Sequence, residues 1–164
     1  MELPGYYRPT KKWDIIVKHG KSLVAALELK SQVGSFGNNV NNRAEEAIGN
    51  AVDLWTAYRE KAFDPSTSPW LGYFFLLQDC PASRNGGERL KEPHFKVLPA
   101  FQNSTYSKRY EILCRKLVLE RQYNAACFLM ADQAKADETK NYTEPATDLT
   151  ATIFLDRLLR QVAR

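Results

Sequence analysis

Two extended segments on either side of one glycine constrain this chain more than anything else in it. Trp13-Asp14-Ile15-Ile16-Val17-Lys18-His19 is rich in β-branched and aromatic residues, and Ser22-Leu23-Val24-Ala25-Ala26-Leu27-Glu28-Leu29-Lys30 is a longer apolar run. Both favour strands. Gly20, between His19 and Lys21, tolerates the positive φ of a tight turn, so the two segments read as a β-hairpin. Successive side chains on a strand point to opposite faces. Glu28 and Lys30 therefore share a face, joined by Gln32 if the strand continues, while Leu29 points away toward a core.

The turn decides where Asp14 falls. A two-residue turn over Gly20-Lys21 pairs Asp14 with Leu27 and puts the two carboxylates on opposite faces. An odd-length turn or a bulge brings Asp14 to the face of Glu28. Two carboxylates and one ammonium then converge, the set that Mg²⁺-dependent phosphodiester cleavage requires. Asp14, Glu28 and Lys30 are the candidate catalytic residues. Asp14, Glu28 and the Leu29 carbonyl are the candidate ligands of Mg²⁺, a hard cation that takes oxygen donors. Lys30 is placed to polarise an attacking water and to stabilise transition-state charge. The plainer reading of Glu-x-Lys on a strand is an exposed ion pair.

Further along, Ser31 to Asn42 reads as a polar, glycine-bearing loop. Asn42 and Glu45 have the spacing of a capping box, which predicts a helix starting there. Ala44, Ala47, Ile48, Ala51, Trp55, Tyr58 and Ala62 recur at helical spacing, and Asp64-Pro65 ends the helix. Leu71 to Leu77 and Ala125 to Ala131 are short, continuous apolar runs, read as strands buried on both faces. Residues 80–103 form a long loop, residues 106–118 a helix, residues 134–147 a charged surface loop, and residues 148–163 a final helix. Strand, strand, helix, strand, helix, strand, helix predicts one α/β domain over residues 1–164, with a mixed sheet flanked by helices.

Composition narrows the function classes. No apolar run approaches the ~20 residues of a membrane helix. The start, Met1-Glu2-Leu3-Pro4-Gly5, lacks the pattern of a signal peptide. Cys80, Cys114 and Cys127 are widely spaced and odd in number, which fits buried thiols in a reducing cytoplasm. A net charge of +4 suits a nucleic-acid partner without requiring one.

Asp-x₁₃-Glu-x-Lys on a hairpin resembles the PD-(D/E)xK nuclease superfamily, with Trp13 where that superfamily often has proline. The flanking words are more specific. Leu3-Pro4-Gly5-Tyr6-Tyr7-Arg8-Pro9-Thr10-Lys11-Lys12-Trp13-Asp14, then Ala26-Leu27-Glu28-Leu29-Lys30-Ser31-Gln32-Val33-Gly34, then Phe36 to Gly49 and Asp53 to Glu60, resemble the XhoI family of type II restriction endonucleases. The resemblance implies a homodimeric enzyme with a restriction-endonuclease-like core that cuts the palindrome CTCGAG in double-stranded DNA. It also implies a cognate DNA methyltransferase that protects the host genome. Only thirteen residues precede Asp14, where the superfamily core usually begins with a helix and a strand. The chain thus reads as the C-terminal majority of such an enzyme, missing the N-terminal helix. Alternatives are an inactive remnant and a repair or resolvase nuclease with the same core.

Candidate DNA contacts are Lys11, Lys12, Gln32, Asn38, Asn39, Asn42 and Arg43. The lysines, with Arg8, suit phosphates, and Asn and Gln can pair bidentately with adenine. Arg84, Arg89 and Lys91 in the long loop are further candidates for groove readout. Glu45 and Glu46 are read as helix-capping acids, with a reach to the metal as the alternative, and His19 and His94 as turn or surface residues.

Overall fold

The computed structural model describes residues 2–63, 68–87, 90–92, 94–135 and 141–163. Its centre is a four-stranded mixed sheet. β1 (Glu2–Pro4) and β2 (Thr10–Lys12) form a small antiparallel hairpin beside it. The sheet itself runs β3 (Ile15–His19), β4 (Ser22–Gln32), then, across helix α1 (Phe36–Arg59), β5 (Trp70–Gln78), and finally β6 (Ala125–Ala131). β3–β4 is antiparallel, whereas β4–β5 and β5–β6 are parallel. Between β5 and β6 lie a short helix α2 (Pro81–Asn85), a 3-10 turn at Pro99–Phe101 and helix α3 (Tyr106–Leu119). A second 3-10 turn (Gln133–Lys135) and helix α4 (Ala151–Val162) complete the described elements. The expected α/β class holds, and each crossover carries the helix that a parallel pair requires.

Helices cover both faces. On one, α1 and α3 pack over Ile16, Leu23, Ala26, Tyr73, Phe75, Leu77, Ala126 and Phe128. The Phe75 and Tyr110 rings stack at 4.5 Å. On the other, Phe154 of α4 packs with Ala25, Leu27, Trp70, Ala125 and Cys127. Gly72 admits this ring: a Cβ there would overlap Trp70 and lie 2.7 Å from Phe154. The three cysteines are free; Cys114 and Cys127 are buried as expected, whereas Cys80 is half-buried.

The structure departs from the sequence reading in four places. Helix α1 begins at Phe36, so the Asn-rich stretch is helical and Asn42 is not its cap. Phe36 is buried against α3, 5.9 Å from the Tyr106 ring, and that anchoring outweighs the poor helix propensity of glycine and asparagine. Gly34 and Ser35, at φ of +60° and +44°, turn the chain from β4 into the helix. Glu45 and Glu46 accordingly lie inside the helix, beyond its first turn. Second, Leu29 is 40% exposed rather than in the core. Phe154 packs on Ala25 and Leu27 and leaves the far end of that face open. Third, the long loop contains α2 and a 3-10 turn. Fourth, the β1–β2 hairpin was not foreseen. The helix stop at Asp64-Pro65 and Arg89 lie outside the described residues.

Candidate active site

The hairpin turn contains two residues, because His19 pairs with Ser22 across Gly20-Lys21. Gly20 has φ of +57°, the positive value a II′ turn needs at its first position. Such a turn alone sets Asp14 opposite Leu27. The ladder shifts, however, between Val17 and Lys18: Lys18 pairs with Leu23 and Val17 with Ala25, leaving Val24 as a bulge. Ile15 then faces Leu27, and Asp14 stands at the position opposite Glu28. The required change of phase is thus made by a bulge.

Glu28 lies on the face covered by α1 and α3 and is only 1% exposed. Burying a carboxylate is costly unless ion pairs and hydrogen bonds satisfy it. The Lys30 ammonium lies 2.6 Å from Oε1, to which Asn50 of α1 also donates at 3.2 Å. Lys11 of β2 reaches Oε2 at 2.8 Å. Asp14 is exposed, and its Oδ2 accepts a hydrogen bond from the Leu29 backbone N–H at 2.7 Å. That bond fixes Asp14 beside the Glu28-Leu29-Lys30 segment. Beneath Glu28, the Tyr73 and Tyr123 hydroxyls are buried, and desolvation holds both well above the usual phenol range.

A polar network extends from Asn50 to the N-terminal loop. Asn50 accepts from the Arg8 guanidinium at 2.8 Å. Asp53, one turn on, accepts from the Tyr6 and Tyr7 amides and from Arg8 Nε, each at 2.8 Å. Burial pushes the Asp53 pKa up, but these donors outweigh it and hold the carboxyl below its ordinary value. The network pins the β1–β2 connection, and with it the strand that carries Lys11.

Lys30 pairs with Glu28, and Asp14 is hydrogen-bonded to the Leu29 amide that lies between them in sequence. Lys11 also enters this cluster, whereas Lys12 is exposed. Gln32 is buried and donates to the Gly34 carbonyl. Asn38 and Asn42 are exposed on the first turns of α1, Asn39 donates to the Ser35 carbonyl, and Arg43 pairs with Glu46 at 2.6 Å. Arg84 pairs with Asp79. Asn50 and Asp53 were missed as site residues. Their signal was legible: they are polar positions inside the apolar stripe Ala47, Ala51, Leu54 of a helix that meets β4 at Glu28.

Among the described residues there is no cluster of three or more His, Cys, Asp or Glu side chains. The two acids at this point of the hairpin are Asp14 and Glu28. Two carboxylates are a donor chemistry compatible with Mg²⁺, which is commonly bound through one or two carboxylates and completes its shell with water and substrate phosphate.

A mixed sheet whose antiparallel hairpin presents acid, acid and lysine, backed by a crossover helix, defines a restriction-endonuclease-like domain. The sequence profile described as restriction endonuclease XhoI matches residues 1–144. The chain belongs to the XhoI restriction endonuclease family. It is 54% identical over 167 residues to the type II restriction enzyme BstVI of Geobacillus stearothermophilus, covering 98% of this chain and 74% of that one. It is 56% identical over 121 residues to XhoI of Xanthomonas vasicola and 59% over 97 residues to AbrI of Azospirillum brasilense. Those two matches cover 73% and 58% of this chain, and 48% and 43% of the relatives. No solved structure matches the chain. Among the described residues no helix is long and apolar enough to cross a membrane.

Proposed function

We propose that this chain is a subunit of a type II site-specific deoxyribonuclease that hydrolyses double-stranded DNA with Mg²⁺. The observation that carries the reading is the bulge at Val24, which sets Asp14 opposite Glu28, with the Lys30 ammonium 2.6 Å from Glu28. Asp14, Glu28 and the Leu29 carbonyl hold the cation. Bound there, Mg²⁺ supplies an activated water and offsets charge on the scissile phosphate. Asn50 fixes the rotamer of Glu28 through Oε1, and the Leu29 amide fixes Asp14. Lys30 sits on the same carboxylate, where its ammonium orients the nucleophile and meets the charge that grows on the phosphate oxygens.

DNA is held by the exposed Lys12 and by the first turns of α1, where Asn38, Asn39, Asn42 and Arg43 lie on the helix that covers the catalytic face. Gln32 acts from behind that helix start. The names of the relatives and the family resemblance favour the palindrome CTCGAG, a homodimer that cuts both strands, a cytoplasmic location, and a cognate methyltransferase that acts on the same site without contacting this chain.

The test uses plasmids with and without CTCGAG, incubated with the chain and Mg²⁺ or a chelator. Discrete, Mg²⁺-dependent cutting of the site-bearing plasmid alone is expected. Cutting of both plasmids refutes the sequence specificity, and intact DNA under all conditions refutes the activity.

A further inference from the structure

Lys11 occupies the second oxygen of Glu28, a place that the nuclease reading does not give it. The side chain is only 11% exposed. Its ammonium also donates to the Lys12 carbonyl at 3.3 Å and lies 4.5 Å from the centre of the Trp13 ring. Strand pairing of Leu3 with Lys11, and the Asp53 anchor on Tyr6, Tyr7 and Arg8, bring β2 to this position. Lys11 is therefore seated in the site and is not a surface cation. With Lys30 and Asn50 on Oε1, both oxygens of Glu28 are engaged.

An ammonium and a divalent cation compete for Oε2, because like charges a few ångströms apart in a partly desolvated site repel strongly. The charge balance points the same way. Asp14 and Glu28 are matched by Lys11 and Lys30, so the closed cluster is neutral. With a divalent cation in and Lys11 out, the cluster carries one net positive charge, the complement of one phosphodiester.

We propose that Lys11 is the resident counter-ion of Glu28. It holds Oε2 while no cation is bound, gives up that oxygen when a divalent cation binds, and so sets the cation affinity of the site. The inference rests on the Asp14–Glu28 pair being the cation site.

The experiment titrates Mn²⁺ and Ca²⁺ calorimetrically into the chain without DNA. Lys11→Gln binds either ion roughly tenfold more tightly than the parent, equivalent to about 1.4 kcal/mol. Lys11→Arg keeps the charge and stays near the parent affinity. Unchanged or weaker binding by Lys11→Gln overturns the proposal, since a purely structural lysine gives that result. The parent chain supplies a second readout free of any folding defect. Departure of Lys11 from the Trp13 ring changes that ring's emission when Ca²⁺ is added, and Trp13→Phe removes the change. Calorimetric Ca²⁺ binding with no Trp13 response overturns the role of Lys11 while leaving the cation site standing. Absence of any binding heat for both ions in the parent overturns the cation site itself.

Discussion

Replacing Asp53 with alanine removes an acceptor on which three donors converge. The Tyr6 and Tyr7 amides share Oδ1, and Arg8 Nε takes Oδ2, all at 2.8 Å. A hydrogen bond to a charged group contributes about 1.5–3 kcal/mol when water is excluded. Tyr6 and Tyr7 are exposed, so their amides regain water on loss of the carboxylate. That lowers the cost to about 1 kcal/mol each. The Arg8 side chain is 40% exposed, and its ion pair adds less than about 1 kcal/mol. Asp53→Ala is thus expected to cost about 2–3 kcal/mol. Asp53→Asn keeps an oxygen for both amides but turns its NH₂ toward Arg8 Nε, so the ion pair and its hydrogen bond are lost, at a cost of about 1 kcal/mol at this exposed guanidinium. Urea unfolding followed by tryptophan fluorescence measures both. Equal losses in the two variants, or a loss under about 0.5 kcal/mol in Asp53→Ala, would refute the reasoning that the two amides carry most of the anchor.

Three further outcomes follow from the same geometry. Glu28→Ala abolishes cleavage and leaves DNA binding in a gel-shift assay largely intact; full cutting by that variant removes Glu28 from the catalytic site. Gly72→Ala drives a methyl into Trp70 and Phe154 and costs about 2–4 kcal/mol by overpacking, read as a fall in the urea midpoint; a neutral result means that α4 is not seated on β5. Asp53, Asp79 and Asp148 are held below the ordinary 3.8, against the opposing effect of burial, by the Tyr7 amide and Arg8, by Arg84 and by Arg115 respectively. A depressed folded pKa stabilises above the unfolded value and is lost as pH falls through the folded one. Stability is therefore retained down to about pH 4 and declines below it, which thermal melts across pH 2–6 will show.

The sheet was legible because its strands carry their signal locally. Ala125–Ala131 was read to the residue, and Leu71–Leu77 to within one residue at each end. These runs are apolar on both sides because helices cover both faces. The register that brings Asp14 level with Glu28 was legible only as a condition on the turn. Nothing in Ser22-Leu23-Val24-Ala25 distinguishes a bulged strand from a regular one, since the bulge is decided by how both strands meet the core. The β1 and β2 strands are three residues each, too short to show a period. They are held by the burial of Leu3 and Trp13 and by the Asp53 anchor, all of which act over long sequence distances. The start of α1 failed for a related reason: local propensity spoke against a helix, and a ring contact with α3 overruled it.

The bulge at Val24 makes the spacing between the two acids a question of parity. A regular ladder closed by an even turn separates them, and one extra residue restores them. At an unchanged spacing between the two acids, a turn that takes up one more residue must therefore come with a regular strand, whereas a turn that takes up two more must keep the bulge. The hairpin carries a check on its own length that a comparison of the catalytic residues alone does not reveal.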